Sequence, residues 1–361
     1  MSIPLKRSET IGILGGGQLG RMLAMAAAKL GFKTHIYAPA GDNPAIAVAD
    51  FHTEAAFDDE TALKEFASAC DVVTYEWENI PLKVCELISS ISPLHPGADV
   101  LRISQDRIAE KTFISGLGVP VPDFHPVSSL AGFEEAVSHV GRPAVLKTRR
   151  FGYDGKGQTR IMEDTDLSEA WAAIGKQPAI LEAFVPFERE VSVICARGAD
   201  GAVASFDIPE NAHENSILRS STVPARLKPR TATQAREIAG TLLEALNYVG
   251  VMGVELFLVS KGGAETLVLN EIAPRVHNSG HWTEAACHVS QFEQHIRAIA
   301  GWPLGSTKRH SDCVMENLLG DEIFACHDLA KLPGAVVHDY GKAESREGRK
   351  MGHVTRLTSR K

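Results

Sequence analysis

Short apolar runs alternate with helical spacings through the first hundred residues. Ile11–Leu14 reads as a strand, and Leu19, Met22, Leu23, Ala26 and Leu30 then recur at helical spacing. Lys33–Ala38 predicts the next strand and Asp71–Tyr75 a later one. Strand–helix alternation of this kind implies a parallel sheet covered by helices. The sequence SPLHPG breaks the periodicity at Pro93–Gly97 and closes this block. A second block predicts strands at Ala144–Thr148, Thr159–Glu163, Ala179–Val185 and Glu190–Ala196. A third opens with Ala202–Ile208 and carries a helix over Thr233–Tyr248. It ends in two apolar strands, Val251–Val259 and Thr266–Ala273, around the turn Ser260–Glu265. From about Gly301 the chain is Gly- and Pro-punctuated and basic near its end, which predicts a small β-rich domain. The expected class is α/β, with an N-terminal parallel-sheet domain at 1–105, a central region at 106–300 and the β-rich domain at 301–361.

Composition narrows the picture. At 361 residues the chain is two to three domain units long, and 44% hydrophobic with 23% charged residues excludes wholesale disorder. No apolar run approaches the length of a membrane span. The net charge of −8 argues against a nucleic-acid surface. Six dispersed cysteines with no C-x-x-C pair read as reduced thiols of a cytosolic protein, and MSIPLKRSET lacks an apolar signal core.

Gly15, Gly17 and Gly20 form G-x-G-x-x-G between a strand and a helix, where free N–H groups attract phosphate or carboxylate. Three readings stand: a dinucleotide site, a tight structural turn, or a seat for a phosphate-bearing substrate. The first needs an acid closing the second strand, and Tyr37-Ala38-Pro39 offers none. Glu76 and Glu78 follow the strand Asp71–Tyr75, at the sheet edge where open α/β folds bind ligands. Glu76 is the candidate, against a reading of both as a solvated loop.

AVLKTRRFGYDGKGQ is more specific. Lys147 lies inside an apolar strand, where an unpaired ammonium is costly to desolvate, so it needs an anionic partner such as a nucleotide phosphate. Gly152, Gly155 and Gly157 suit a mobile loop over phosphates, although the spacing is not that of a P-loop. The alternative is a glycine-rich hairpin with Lys147 snorkelling to solvent. Glu182 and Glu190 sit where a strand edge and a carboxylate could hold purine and ribose, or they are surface acids.

Glu255 and Glu271 carry the strongest physical argument. A hairpin centred on Gly263 sets them opposite each other, and like charges across a strand pair are destabilising. Bound Mg²⁺ removes that conflict, with Asn270 as a neutral oxygen beside it. A bulge that sends one glutamate to solvent is the alternative. Arg275, His277 and Asn278 follow at once and suit an anionic substrate.

Together, GGGQLGRMLA, YEWEN, QDR, FGYDGKGQ, ENAHENSI, NEIAPRVHNSGHWT and RKMGHVT resemble the ATP-grasp superfamily. Within it the resemblance is to the biotin-independent N5-carboxyaminoimidazole ribonucleotide synthases, and it covers almost the whole chain. Val276 departs from the proline often found there, and the mutase domain fused downstream in some eukaryotic relatives is expected to be absent. The resemblance implies a pre-ATP-grasp N-terminal domain, an ATP-grasp domain with its lid at about 106–186 and main part at about 187–300, and a small C-terminal β-rich domain. It implies a cytoplasmic, homodimeric C–N ligase of purine biosynthesis. That enzyme carboxylates 5-aminoimidazole ribonucleotide with bicarbonate through carboxyphosphate, using ATP and Mg²⁺ (Mn²⁺ as substitute) without biotin. A formate-using glycinamide ribonucleotide transformylase and a non-catalytic nucleotide-binding protein are the competing readings.

The same resemblance assigns residues. Arg107 and Lys147 contact the ATP phosphates under a lid of Gly152, Tyr153, Asp154, Gly155, Lys156, Gly157 and Gln158. Glu182, Ala183, Phe184 and Val185 frame adenine, Glu190 holds ribose, and His213 approaches the nucleotide. Glu255 and Glu271 bind Mg²⁺, with Asn270 beside them. Gln18, Leu19, Glu76, Tyr153 and Asp154 hold aminoimidazole ribonucleotide. Arg275, His277, Asn278 and Lys350 hold bicarbonate and the substrate phosphate or carboxyphosphate, and Asp154 is counted with them as catalytic.

Overall fold

The structure, a computed structural model, describes residues 4–152 and 155–360. Tyr153 and Asp154 lie outside the described residues, and so do the roles expected of them. Among the described residues the N-terminal block forms a four-stranded parallel sheet in the order Phe51–Glu54, Lys33–Ala38, Thr10–Leu14, Val72–Tyr75. The chain steps outward over its first three strands, then crosses back to place Val72–Tyr75 on the other flank of Thr10–Leu14. That reversal opens a crevice between the carboxyl ends of the two strands. The glycine loop and Glu76 leave from those two ends.

A second four-stranded sheet, entirely antiparallel, runs Phe124–Val127, Ala179–Ala183, Ala144–Thr148, Gln158–Ile161. Helices Leu130–Val140 and Leu167–Ala173 bury Phe133, Ala136, Ala170 and Trp171 against it. The strand expected to reach Val185 stops at Ala183, where its partner strand begins at Ala144; Phe184 N–H makes one further bond in the same register, to Pro143 C=O at 3.0 Å.

The third sheet has nine strands and is the body of the molecule. Its core strands Arg189–Arg197 and Gly250–Lys261 are buried on both faces. Val191, Val193, Met252 and Val254 pack under helix Pro229–Ala245, while Ile194, Ala196 and Val251 pack with Phe292 and Ile296 of helix Gln291–Ile299. The strand expected over Ala202–Ile208 is shorter, Val203–Ser205. The C-terminal strands Asp312–Leu319, Lys350–Thr358 and Ala335–Asp339 do not form a sheet of their own. Asp312–Leu319 pairs with Ile217–Val223, so they extend the central sheet. This continuity places Lys350, opposite Leu319, on the same sheet as the carboxylate hairpin. No described helix is long and apolar enough to cross a membrane.

The hairpin Gly250–Lys261/Ala264–Ala273 departs from the expected register in an informative way. Gly262 and Gly263, with φ of +58° and +78°, make a two-residue turn, so pairing starts at Lys261–Ala264, one position away from a hairpin centred on Gly263. A bulge then skips Asn270, and beyond it Glu255 faces Glu271. The expected opposition is therefore present, and a bulge produces it.

Candidate active site

Glu76 reaches across the N-terminal crevice and accepts hydrogen bonds from Gly17 N–H at 2.8 Å and Gly20 N–H at 3.1 Å. It caps helix Gln18–Lys29, whose own N-cap, Gly17, has no side chain to do so. A Cβ on Gly17 would stand 2.7 Å from Glu76 Oε1, and one on Gly15, at φ +109°, 2.6 Å from Glu76 Cγ. The glycines are thus required by an internal carboxylate. The carboxylate drawn to these helix-start donors is thus internal: Glu76 takes the N–H groups of Gly17 and Gly20. Burial raises the Glu76 pKa, against the lowering effect of the two N–H bonds.

Arg275 forms a two-pronged ion pair with Glu78, its Nη2 lying 2.8 Å from Glu78 Oε1 and its Nε bonded to Oε2. Burial pushes the Glu78 carboxyl up, but the Arg275 guanidinium outweighs it and holds the group below the usual range. Two residues on, His277 is fixed through both ring nitrogens. Nε2 lies 3.1 Å from Glu255 Oε1, and Nδ1 lies 2.9 Å from Ser279 Oγ. Gly253 permits this approach, since a Cβ there would meet His277 Cβ at 2.7 Å. Burial again raises the Glu255 carboxyl, while His277, His213 and Lys350 together bring it below the usual range. The Lys350 ammonium is thus felt at Glu255 and His213, as a tail folded onto the site requires. The side-chain oxygen of Asn278 is buried and has no hydrogen-bond partner among the described residues.

On the nucleotide side, Arg107 Nη1 lies 3.0 Å from Glu271 Oε2 and its Nη2 lies 3.5 Å from Gly152 C=O, joining the carboxylate hairpin to the glycine lid. The lid rests on the turn at Asn215–Ser216, where Gln158 Nε2 meets Ser216 Oγ at 3.2 Å. Lys147 does not snorkel: its anionic partner here is Glu182, at 2.6 Å. Burial would raise Glu182, but Lys147 and Lys111 bring it to about 2. Along the strand edge, Ala183 N–H is taken by Asp123 C=O and Phe184 N–H by Pro143 C=O. His213 Nδ1 stands 3.3 Å from Glu190 Oε1.

Three participants escaped the sequence reading. Glu78 is one, as the partner of Arg275. The others are Glu110 and Lys111, both buried on helix Arg107–Gly116. Glu110 accepts from Ile272 N–H at 2.8 Å, and its carboxyl is pushed up to about 7, burial being the largest cause. Lys111 bonds the Asn270 carbonyl at the bulge and lies 3.8 Å from Glu182 Oε1. The signal was present: Arg107, Glu110 and Lys111 share a helical face with buried Ile114, so a charged face points inward.

A glycine lid, a cationic strand and opposed carboxylates around one cleft define an ATP-grasp protein. Family profiles agree: the ATP-grasp domain matches residues 112–292, the ribonucleotide synthetase preATP-grasp domain residues 8–105, and the phosphoribosylaminoimidazole carboxylase C-terminal domain residues 313–361. The chain is 53% identical to the N5-carboxyaminoimidazole ribonucleotide synthase of Brucella melitensis, over 99% of this chain and 98% of that protein. It superposes with TM-score 0.93 on the Staphylococcus aureus N5-carboxyaminoimidazole synthetase complexed with ADP, at 38% identity over 98% of this chain and 94% of that one. The Aspergillus clavatus synthase in complex with ADP and 5-aminoimidazole ribonucleotide matches with TM-score 0.91, at 31% identity over 98% and 94%. The chain belongs to the N5-carboxyaminoimidazole ribonucleotide synthase family.

Proposed function

We propose that the chain carries out the ATP-dependent carboxylation of 5-aminoimidazole ribonucleotide in purine biosynthesis, with bicarbonate as the carboxyl source. It acts as a three-part enzyme, with substrate-binding residues in 1–105, the ATP-grasp unit in 106–300 and the C-terminal unit in 301–361. The observation that carries this reading is the convergence on one cleft of an anion-binding triplet, Arg275, His277 and Asn278, and a pair of opposed carboxylates.

Bicarbonate attacks the γ-phosphorus of ATP, the bond to the β-phosphate oxygen breaks, and ADP leaves with carboxyphosphate formed. The exocyclic amine of the ribonucleotide then takes the carboxyl group and phosphate departs. Arg107 and Lys147 bear on the transferring phosphate, where positioning and charge neutralisation supply most of the rate. Nucleotide phosphates draw Lys147 and Arg107 from their resting partners, Glu182 and Glu271, so those ion pairs hold the cations ready. The Glu255 and Glu271 carboxylates with the Asn270 amide oxygen form an all-oxygen donor set, which fits Mg²⁺. When bound, Mg²⁺ supplies charge neutralisation at the phosphates. Arg275, the Asn278 side chain and Lys350 orient the bicarbonate and stabilise the developing charge. His277, locked by Glu255 and Ser279, keeps its ring fixed at the edge of that pocket. The glycine loop, braced from within by Glu76, receives the ribonucleotide through Gln18 and Leu19 N–H, and the Gly152–Gln158 lid excludes water from carboxyphosphate.

ADP release measured with aminoimidazole ribonucleotide and bicarbonate omitted in turn tests the reading. Full release is expected only with both present. Turnover with formate and glycinamide ribonucleotide instead would overturn it.

A further inference from the structure

Beyond these groups, Glu284, His338 and His353 meet where the last strands of the sheet cover the loop after Asn278. One ligand-capable atom of each lies within 4.8 Å of the other two. Glu284 Oε2 is 2.9 Å from His338 Nδ1 and 3.8 Å from His353 Nε2. His338 and His353 are direct cross-strand partners, with ring centroids 5.2 Å apart, so the sheet itself sets the imidazoles side by side. Tyr340 Oη lies 2.9 Å from His353 Nδ1, which fixes that ring and leaves Nε2 toward Glu284. A hydrogen-bonded second nitrogen is the usual support of a metal-binding histidine.

A plain Glu284–His338 ion pair explains one of these contacts and leaves the placement of His353 unexplained. His353 Nε2 stands too far from the carboxylate for a hydrogen bond. His281, wholly buried, lies against His353 at 5.2 Å between ring centroids. Its Nδ1 accepts from Gln291 Nε2 at 2.9 Å, while its Nε2 has no partner among the described residues. Around a four-coordinate ion at about 2.1 Å, ligand atoms stand about 3.4 Å apart. The distances 2.9 Å and 3.8 Å bracket that separation.

We infer that Glu284, His338 and His353 form a site for a transition-metal dication of the Zn²⁺ class, with two imidazoles, one carboxylate and an open position. The ligand set is the borderline nitrogen–oxygen kind that Zn²⁺ takes, distinct from the all-oxygen set at Glu255 and Glu271. Partial exposure of Glu284 and His338 gives the ion access. Glu284 follows the Arg275–Asn278 loop, and His353 lies on the strand that begins at Lys350. A bound ion therefore clasps these two segments together. The inference does not depend on the reaction proposed above.

Untagged protein, stripped with chelator, is dialysed against Zn²⁺ in a large excess of Mg²⁺, which competes at the glutamate pair. The parent should retain one Zn²⁺ per chain that Glu284→Gln and His338→Gln do not. Zn²⁺ at saturation should raise the melting temperature of the parent by roughly 3–5 °C and leave both variants unmoved. Co²⁺ should give visible absorption with the parent alone. Equal zinc retention by parent and variants, or a parent that shows no Co²⁺ absorption, overturns the site. Absence of Co²⁺ absorption in the parent overturns the site even if a variant folds poorly.

Discussion

Glu255 and Glu271 face each other across the hairpin, yet each carboxylate is engaged by a different side chain, Glu255 by His277 Nε2 at 3.1 Å and Glu271 by Arg107 at 3.0 Å. The two carboxylates are thereby held by separate partners, one on the Arg275–Asn278 loop and one on helix Arg107–Gly116.

Glu271→Gln should therefore keep the fold and lose turnover by roughly a hundredfold or more, the scale for removing one preorganised charge. Steady-state rates across a Mg²⁺ titration, with a melting curve, check this. Parent-like turnover at limiting Mg²⁺ would sink the metal assignment.

The glycine loop and the nucleotide cleft are served by different carboxylates, so their defects should separate. Gly17→Val drives a side chain into Glu76 Oε1, which a Cβ already meets at 2.7 Å. The KM for aminoimidazole ribonucleotide should rise roughly tenfold, equivalent to about 1.4 kcal/mol, with ATP affinity unchanged. Matching losses for both ligands would contradict this division.

Glu182 should shape the acid limb of stability. Its folded carboxyl is held at about 2, below the ordinary carboxylate value, by Lys147 and Lys111 against the opposing effect of burial. A depressed carboxylate stabilises fully above its unfolded pKa and loses that contribution as pH falls toward its folded one. Glu182→Gln leaves two buried ammoniums unpaired and should cost about 3–5 kcal/mol near neutrality. The gap between parent and variant should shrink from about pH 5 down to pH 2. Urea unfolding at several pH values measures it, and a gap independent of pH would refute the account.

Lys350→Ala separates a chemical role from surface charge. An isolated surface lysine would matter by under about 0.5 kcal/mol. An ammonium felt at Glu255 and His213 should, if it has the role proposed for it above, matter by roughly a hundredfold in coupled turnover. ATP binding and melting temperature should stay near those of the parent. An undiminished carboxylation rate would make the C-terminal strands structural only.

Much of this was legible in the chain itself. Periodicity located the strands Thr10–Leu14, Lys33–Ala38 and Ala144–Thr148, because each buries side chains at fixed spacing whatever lies around it. The glycine loops and the succession Glu271–Asn278 were visible because their chemistry is local. Partnership was not. That Lys147 rests on Glu182, that Arg275 is held by Glu78 across 197 positions, and that Lys111 grips the bulge at Asn270 depend on which strands become neighbours. Ion pairs leave no periodic trace in sequence, since either partner alone looks like a surface charge. The same holds for Glu76: the sequence determined that a glycine loop and an acid each follow a strand. Only the reversal in strand order decided that the acid fills the loop, by bringing the carboxyl ends of Thr10–Leu14 and Val72–Tyr75 together.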